Sequence, residues 1–306
     1  MDAIFIIEQL LNGVGYGFML FMLAAGLTLV FGIMDTMNLA HGSLYMAGAY
    51  VAAKAHQASG SFLAAILVAV AVTMLVAAVV EILIVRRLYR RDHLAQVLAT
   101  FGLILIADDL VHAIWGPSPV TAPTPAALSG PLEIIPGLPY SSYRLMMIAV
   151  GLLVAIGLYL LVNRTRLGMV VRAGASNRRM AEFMGVRVDR VFSFVFVLGA
   201  ALAALAGALM GPISAVQIGM GEAILIPALV VIVIGGIGSV RGAFVAALLV
   251  GLIDTAGRAF LPPALRAVLP PSLAADLGPA IAGIAMYVVM ATVLAIKPQG
   301  LFPARS

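Results

Sequence analysis

The chain has 306 residues, 63% of them hydrophobic and 10% charged, with a mean hydropathy of +1.13 and a formal charge of +5. Soluble domains carry charge on roughly a quarter of their residues, so this composition excludes a water-soluble fold and describes a single membrane domain, residues 1–306. Cysteine is absent, which removes disulfides, thiolate catalysis and cysteine-ligated metal centres.

Apolar runs suited to a hydrocarbon core about 30 Å thick predict helices at Gly13–Met34, Asn38–Ala55, Phe62–Val85, Leu94–Trp115 and Tyr143–Val162. After a basic gap come Phe192–Met210, Ala223–Ile237, Ala243–Phe260 and Leu277–Ile296. The fold class is an all-α integral membrane protein, a polytopic bundle of about eight or nine transmembrane helices. The alternating ten-residue segments of a β-barrel are missing. The segment Met1–Gly13 has no basic flank before the first apolar run, so that run is expected to stay in the mature chain.

Basic residues set the orientation, because Lys and Arg near helix ends stay cytoplasmic. Arg86, Arg87, Arg90 and Arg91 follow the third predicted helix, and Arg164, Arg166, Arg172, Arg178, Arg179, Arg187 and Arg190 follow the fifth. Both segments are expected inside. Residues 116–142, free of Lys and Arg and rich in proline, are then an extracytoplasmic loop, with the N-terminus outside and the C-terminus inside. Basic residues gathered in short inter-helix segments report orientation and not nucleic-acid binding.

The loop 163–190 is the largest polar stretch on the inner side. Within it Asn177–Met184 is predicted as a short amphipathic helix, with Met180, Phe183 and Met184 on one face, Arg178, Arg179 and Glu182 on the other, and Gly185 at its stop. Two readings are open: a solvated positive-inside loop, or a docking surface.

Two glycine-containing breaks interrupt the apolar pattern, Phe31–Ser43 and Ile234–Gly242. Irregular backbone at membrane depth must be shielded from lipid. Each break is either a tight glycine-assisted turn or one of the paired helix interruptions that mark a transport path. Intramembrane ionisable residues are few. Asp108 with His112 and Asp254 with Arg258 stand four apart, the spacing of helical pairs, and Glu81, one turn from the arginines, is expected to snorkel. No central relay of acids or histidines for ion coupling is visible, and no Gly-x-Ser-x-Gly or His-Glu-x-x-His motif for catalysis.

Four stretches then stand out together: Leu11-Asn12-Gly13 with Gly26-Leu27-Thr28-Leu29 and Phe31-Gly32; Asn38-Leu39-Ala40-His41-Gly42 with Gly48-Ala49-Tyr50; Gly235-Gly236-Ile237-Gly238-Ser239-Val240-Arg241-Gly242; and Pro298-Gln299-Gly300-Leu301-Phe302. In this order and spacing the chain resembles, over nearly its full length, the permease subunits of branched-chain amino-acid ABC importers. It departs from their pattern at Arg241, where proline is commoner, and at Lys297, where arginine is. The resemblance implies a bundle like that of vitamin B12-type importers, without their first helix, in a bacterial inner membrane. It also implies a second homologous permease subunit or a homodimer, two cytoplasmic ATPases and an extracytoplasmic substrate-binding protein. On this resemblance the loop 163–190 contains the ATPase-coupling helix, placing Arg172, Asn177, Arg178, Arg179, Met180, Phe183, Met184 and Gly185 at that contact. The translocation path is expected near Asn38, His41, Gly42, Gly235, Gly236 and Gly238. The chain is then a transport subunit and not an enzyme, with no cofactor of its own: ATP and Mg²⁺ belong to the partners. The only lysines, Lys54 and Lys297, sit in no phosphate-binding Gly-Lys-[Ser/Thr] loop. The alternative is an ion-coupled secondary transporter working without ATPases.

Overall fold

The computed structural model describes residues 3–34, 38–89, 91–135 and 137–302. In chain order the elements are α1 (Ala3–Met34), α2 (His41–Ser59), α3 (Phe62–Val80), a π-helical turn Glu81–Val85 running into α4 (Arg86–Leu88), and α5 (His93–Trp115). A hairpin of β1 (Pro131–Ile135) and β2 (Leu138–Ser141) leads to α6 (Ser142–Arg164), α7 (Arg166–Ser176), α8 (Arg178–Phe183), α9 (Val188–Met210), α10 (Met220–Gly235), α11 (Val240–Leu265) and α12 (Pro271–Ile296).

α1 is the axis of the bundle. It starts well before the predicted Gly13, since its exposed first turns, Ile4–Leu10, extend the helix past the buried stretch. From Gly17 to Val30 it is buried throughout, packed among α6, α9, α10 and α11. A helix apolar on every face needs such all-round cover. α3 shows the opposite arrangement: Ala65, Ala69, Thr73 and Ala77, four apart, form a buried stripe against α2 and α9, while Leu63, Leu67 and Leu75 point outward and are exposed. Small residues at that spacing let helices approach where lipid supplies no hydrophobic drive.

Among the described residues seven helices, α1, α3 with its extension, α5, α6, α9, α11 and α12, are long and apolar enough to cross a membrane. The other two predicted crossings are different in kind. α10 is apolar but has 16 residues, about 24 Å at 1.5 Å per residue. α2 has 19 residues but carries His41, Lys54 and His56; both helices pack inside the bundle against one another.

Arg86, in the first basic segment, donates to Ser193 Oγ at 2.8 Å, one turn past the end of the second. The proline-rich loop is pinned by a two-way backbone bridge between Val120 and Val216, 2.8 and 3.0 Å. Glu81 corrects an expectation. It does not snorkel; its side chain is fully buried and accepts from Arg86 (3.3 and 3.0 Å), Tyr89 (2.9 Å) and Ser193 (2.9 Å). The π turn explains the pairing, because i→i+5 winding brings Arg86 round to face Glu81 where an α-turn would carry it away. Arg86 is 40% exposed while the carboxylate is fully buried, so what Glu81→Ala loses is a set of charge-assisted hydrogen bonds, each contributing about 1.5–3 kcal/mol. Glu81→Ala is therefore expected to lower the unfolding midpoint of the detergent-solubilised protein sharply, and Glu81→Gln, which still accepts from Tyr89, less so. Equal midpoints for wild type and Glu81→Ala would contradict this account of the turn.

Candidate functional site

The first break follows the end of α1. Asp35, Thr36 and Met37 lie outside the described residues, and the chain resumes at Asn38, which is buried. α2 opens directly on His41, whose ring is 1% exposed. One ring nitrogen meets the Leu23 carbonyl; Nε2 lies against Gly26, where a Cβ would come within 3.0 Å of it, and has no hydrogen-bond partner. Both amide atoms of Asn38 and the hydroxyls of Thr28 and Ser43 are also buried without a partner. Buried polar side chains are nearly always hydrogen-bonded, to protein or to water, and these groups keep donors and acceptors to spare beside the break.

The N-terminus of α10 arrives at the same place. A Cβ on Gly42 would stand 2.3 Å from the Gly221 carbonyl oxygen, so the first turns of α2 and α10 touch backbone to backbone. Helices that begin inside a bundle aim their positive dipole ends at its interior.

The second break is held by the tail. Leu301 N–H donates to the Ile234 carbonyl at 2.8 Å and Phe302 N–H to that of Gly235 at 3.0 Å. Gly236, at φ +98°, takes a backbone conformation that side chains rarely tolerate. Gly235 packs against Gly242 with no space for a Cβ, and Gly238 fits against Gly32 near the end of α1. The two breaks thus come together: a mostly apolar cavity of 110 Å³ is bordered by Asn38 and Leu39 of the first and Ile237 of the second. His41 and Gly42 lie one helical turn from it along α2, and the glycines of the second break serve backbone packing at its edge.

The basic loop folds into α7 and α8. Thr165 caps α7 by accepting from Gly168 N–H at 3.1 Å, and Arg172 donates to the Val162 carbonyl, folding α7 back on the end of α6. Asn177 caps α8 by accepting from Met180 N–H at 3.0 Å. Gly185, at φ +83°, follows its end. Ala181 is the buried face of this helix, whereas Met180 is 58%, Phe183 86% and Met184 79% exposed. The side chains of Arg178 and Arg179 lie outside the described residues. A solvated loop has no need of three adjoining bare hydrophobes, and such patches mark interaction sites.

Among the ionisable residues, Asp254 accepts from Arg258 Nε at 3.0 and 2.9 Å, the expected pair. Asp108 does not turn to His112; it faces Glu222 at the start of α10, a contact between helices far apart in sequence. Arg144 and Glu222 escaped sequence reasoning, though Arg144 carried a signal: it is a basic residue at the end of a helix assigned to the arginine-poor side.

The family model of the branched-chain amino acid transport system permease component matches residues 9–295. The chain is 30% identical over 263 residues to the high-affinity branched-chain amino acid transport system permease protein BraD of Pseudomonas aeruginosa, covering 82% of this chain and 86% of that one. It is 28% identical to LivH of Escherichia coli K12, over 84% and 88% of the two chains, and 26% identical to a probable LivH of Methanocaldococcus jannaschii, over 94% and 89%. No solved structure matches it. With the family model spanning nearly the whole chain and the all-helical bundle agreeing with it, the chain belongs to the branched-chain amino acid transport system permease family.

Proposed function

We propose that the chain is the permease subunit of an ATP-driven importer of branched-chain or related amino acids, moving its cargo by alternating access between outward-open and inward-open states. It works in the bacterial inner membrane with a second homologous permease, or a second copy of itself, two cytoplasmic ATPases and an extracytoplasmic binding protein. Its N-terminus is outside and its C-terminus inside. Leucine, isoleucine and valine are the default cargo, with amides, urea and aromatic acids as the related classes. The observation that carries this is the capped helix α8 with Met180, Phe183 and Met184 bare beside the arginine-rich loop. Those three side chains are the knobs for an ATPase groove, Arg178 and Arg179 its ionic rim, and Arg172 fixes the helix before it. The chain then transports and does not catalyse; ATP and Mg²⁺ are bound by the partners.

The path passes the wall of Asn38, His41 and Gly42, where unpaired donors and acceptors and two helix N-termini can meet a polar cargo in transit, and Gly235, Gly236 and Gly238 bound its inner end. Affinity purification of the tagged chain from its native membrane tests the assembly. Two ATPases and a second permease, or a second copy of the chain, are expected in stoichiometric amounts, with ATPase activity stimulated by the binding protein. A chain recovered alone that takes up amino acids in proteoliposomes without ATP would establish the secondary-carrier alternative instead.

A further inference from the structure

A cavity of about 350 Å³ lies at the opposite end of the bundle from α8, between α1, α6, α11 and the segment after α9. Small-molecule pockets start at roughly 300 Å³. Its walls carry opposite charges on separate helices, Arg144 in the first turn of α6 and Asp254 in α11. Arg144 donates to Asn12 Oδ1 at 2.5 Å, and the Tyr140 hydroxyl donates to the same oxygen at 3.0 Å. That contact, with a further one to Tyr140, orients the guanidinium and leaves N–H donors free. Among the described residues no carboxylate pairs with Arg144. Asp254, 8% exposed, is held by Arg258, which is not part of the cavity wall, and a carboxylate keeps lone pairs after accepting such a bond. Met19, Met147 and Ile213 supply an apolar wall. Arg144 is thus a cation with no ion-pair partner among the described residues, at the end of a helix in an apolar bundle. In a membrane protein such a residue is a functional candidate by default.

We infer that this cleft is a binding station for a free α-amino acid: Arg144 takes the carboxylate, Asp254 the ammonium, and the Met19–Met147–Ile213 wall an aliphatic side chain. The inference rests on the importer reading for its cargo class and for which end faces outward. It places a selective waypoint in the permease itself, upstream of the helix breaks.

Two readouts on the purified permease–ATPase complex separate the two ideas. Equilibrium binding of radiolabelled leucine, without binding protein, tests the cleft. Unlabelled leucine is expected to compete, with leucinamide, which lacks the carboxylate, and isocaproate, which lacks the ammonium, each weaker by roughly tenfold or more, the size of one lost charged hydrogen bond. Arg144→Gln and Asp254→Asn weaken binding similarly, Arg144→Lys recovers part of it, and Ile213→Trp, which fills the mouth without touching a charge, also weakens it. Retained basal ATPase activity and subunit stoichiometry show that each variant is folded. ATP-driven uptake by the wild-type complex with binding protein tests the importer reading. Leucine uptake with no leucine binding, or with binding indifferent to Arg144→Gln in an assembled complex, overturns the cleft alone. No uptake but Arg144-dependent leucine binding sustains the cleft and overturns the assigned cargo. Absence of both overturns both.

Discussion

Phe183→Asp is expected to abolish coupled uptake while the permease still reaches the membrane. Phe183 is 86% exposed in the isolated chain, so its loss removes no internal packing. In the proposed assembly the same side chain would fill the ATPase groove, and burying a phenylalanine contributes about 1.5–3 kcal/mol. A carboxylate in its place adds the cost of desolvating an unpaired charge. A total near 4 kcal/mol corresponds to roughly a thousandfold weaker contact. Uptake in proteoliposomes should fall to background and ATP hydrolysis should no longer respond to the binding protein, with Met180→Asp and Met184→Asp behaving alike. Unchanged uptake in the three variants would show that α8 is not the coupling contact.

Gly42→Ala is expected to destabilise the protein markedly. Its Cβ would sit 2.3 Å from the Gly221 carbonyl oxygen, a backbone atom that no side-chain rotation can clear. α2 and α10 would have to separate where both begin. Overpacking of this kind costs about 1–3 kcal/mol or more, and here the strain falls between the backbones of two helix starts. Gly102 and Gly157 supply the comparison, because a Cβ at either meets nothing within 4 Å. Alanine there should be neutral or stabilise its helix by up to about 1 kcal/mol. The unfolding midpoint should drop for Gly42→Ala and hold or rise for the other two; a uniform response across the three would mean that α2 and α10 are not in backbone contact.

Much of this was legible in the sequence, for reasons that are local. A span needs about 20 apolar residues whatever surrounds it, so α3, α5, α6, α9, α11 and α12 could be read directly. Asn177, followed by Met180, Phe183 and Met184 and stopped by Gly185, spells a capped amphipathic helix within nine consecutive residues, and the structure places a helix there with its apolar face bare. Asp254 and Arg258 pair because i,i+4 spacing sets them on one helix face within reach of each other, with the acid N-terminal.

Other features depend on residues that the chain order keeps apart. Glu81 looked like an interfacial acid one turn from the arginines; the π turn and Ser193 from α9 made it a buried anchor. Asp108 had His112 at the right spacing, yet faces Glu222, because the approach of α10 and not the helix repeat decided its neighbour. Gly42 could be suspected from sequence but not explained, since its reason is Gly221. Arg144 stood in plain view at a helix start, and only the meeting of α1, α6 and α11 sets it across a cavity from Asp254. The sequence by itself determined the membrane class, the long helices and the form of the short amphipathic helix α8, because hydropathy and capping act over a few residues. Tertiary structure alone decided which helices stop inside the bundle, which buried polar groups lack partners and where opposite charges share a cleft, because these depend on backbone approaches between segments a hundred or more residues apart.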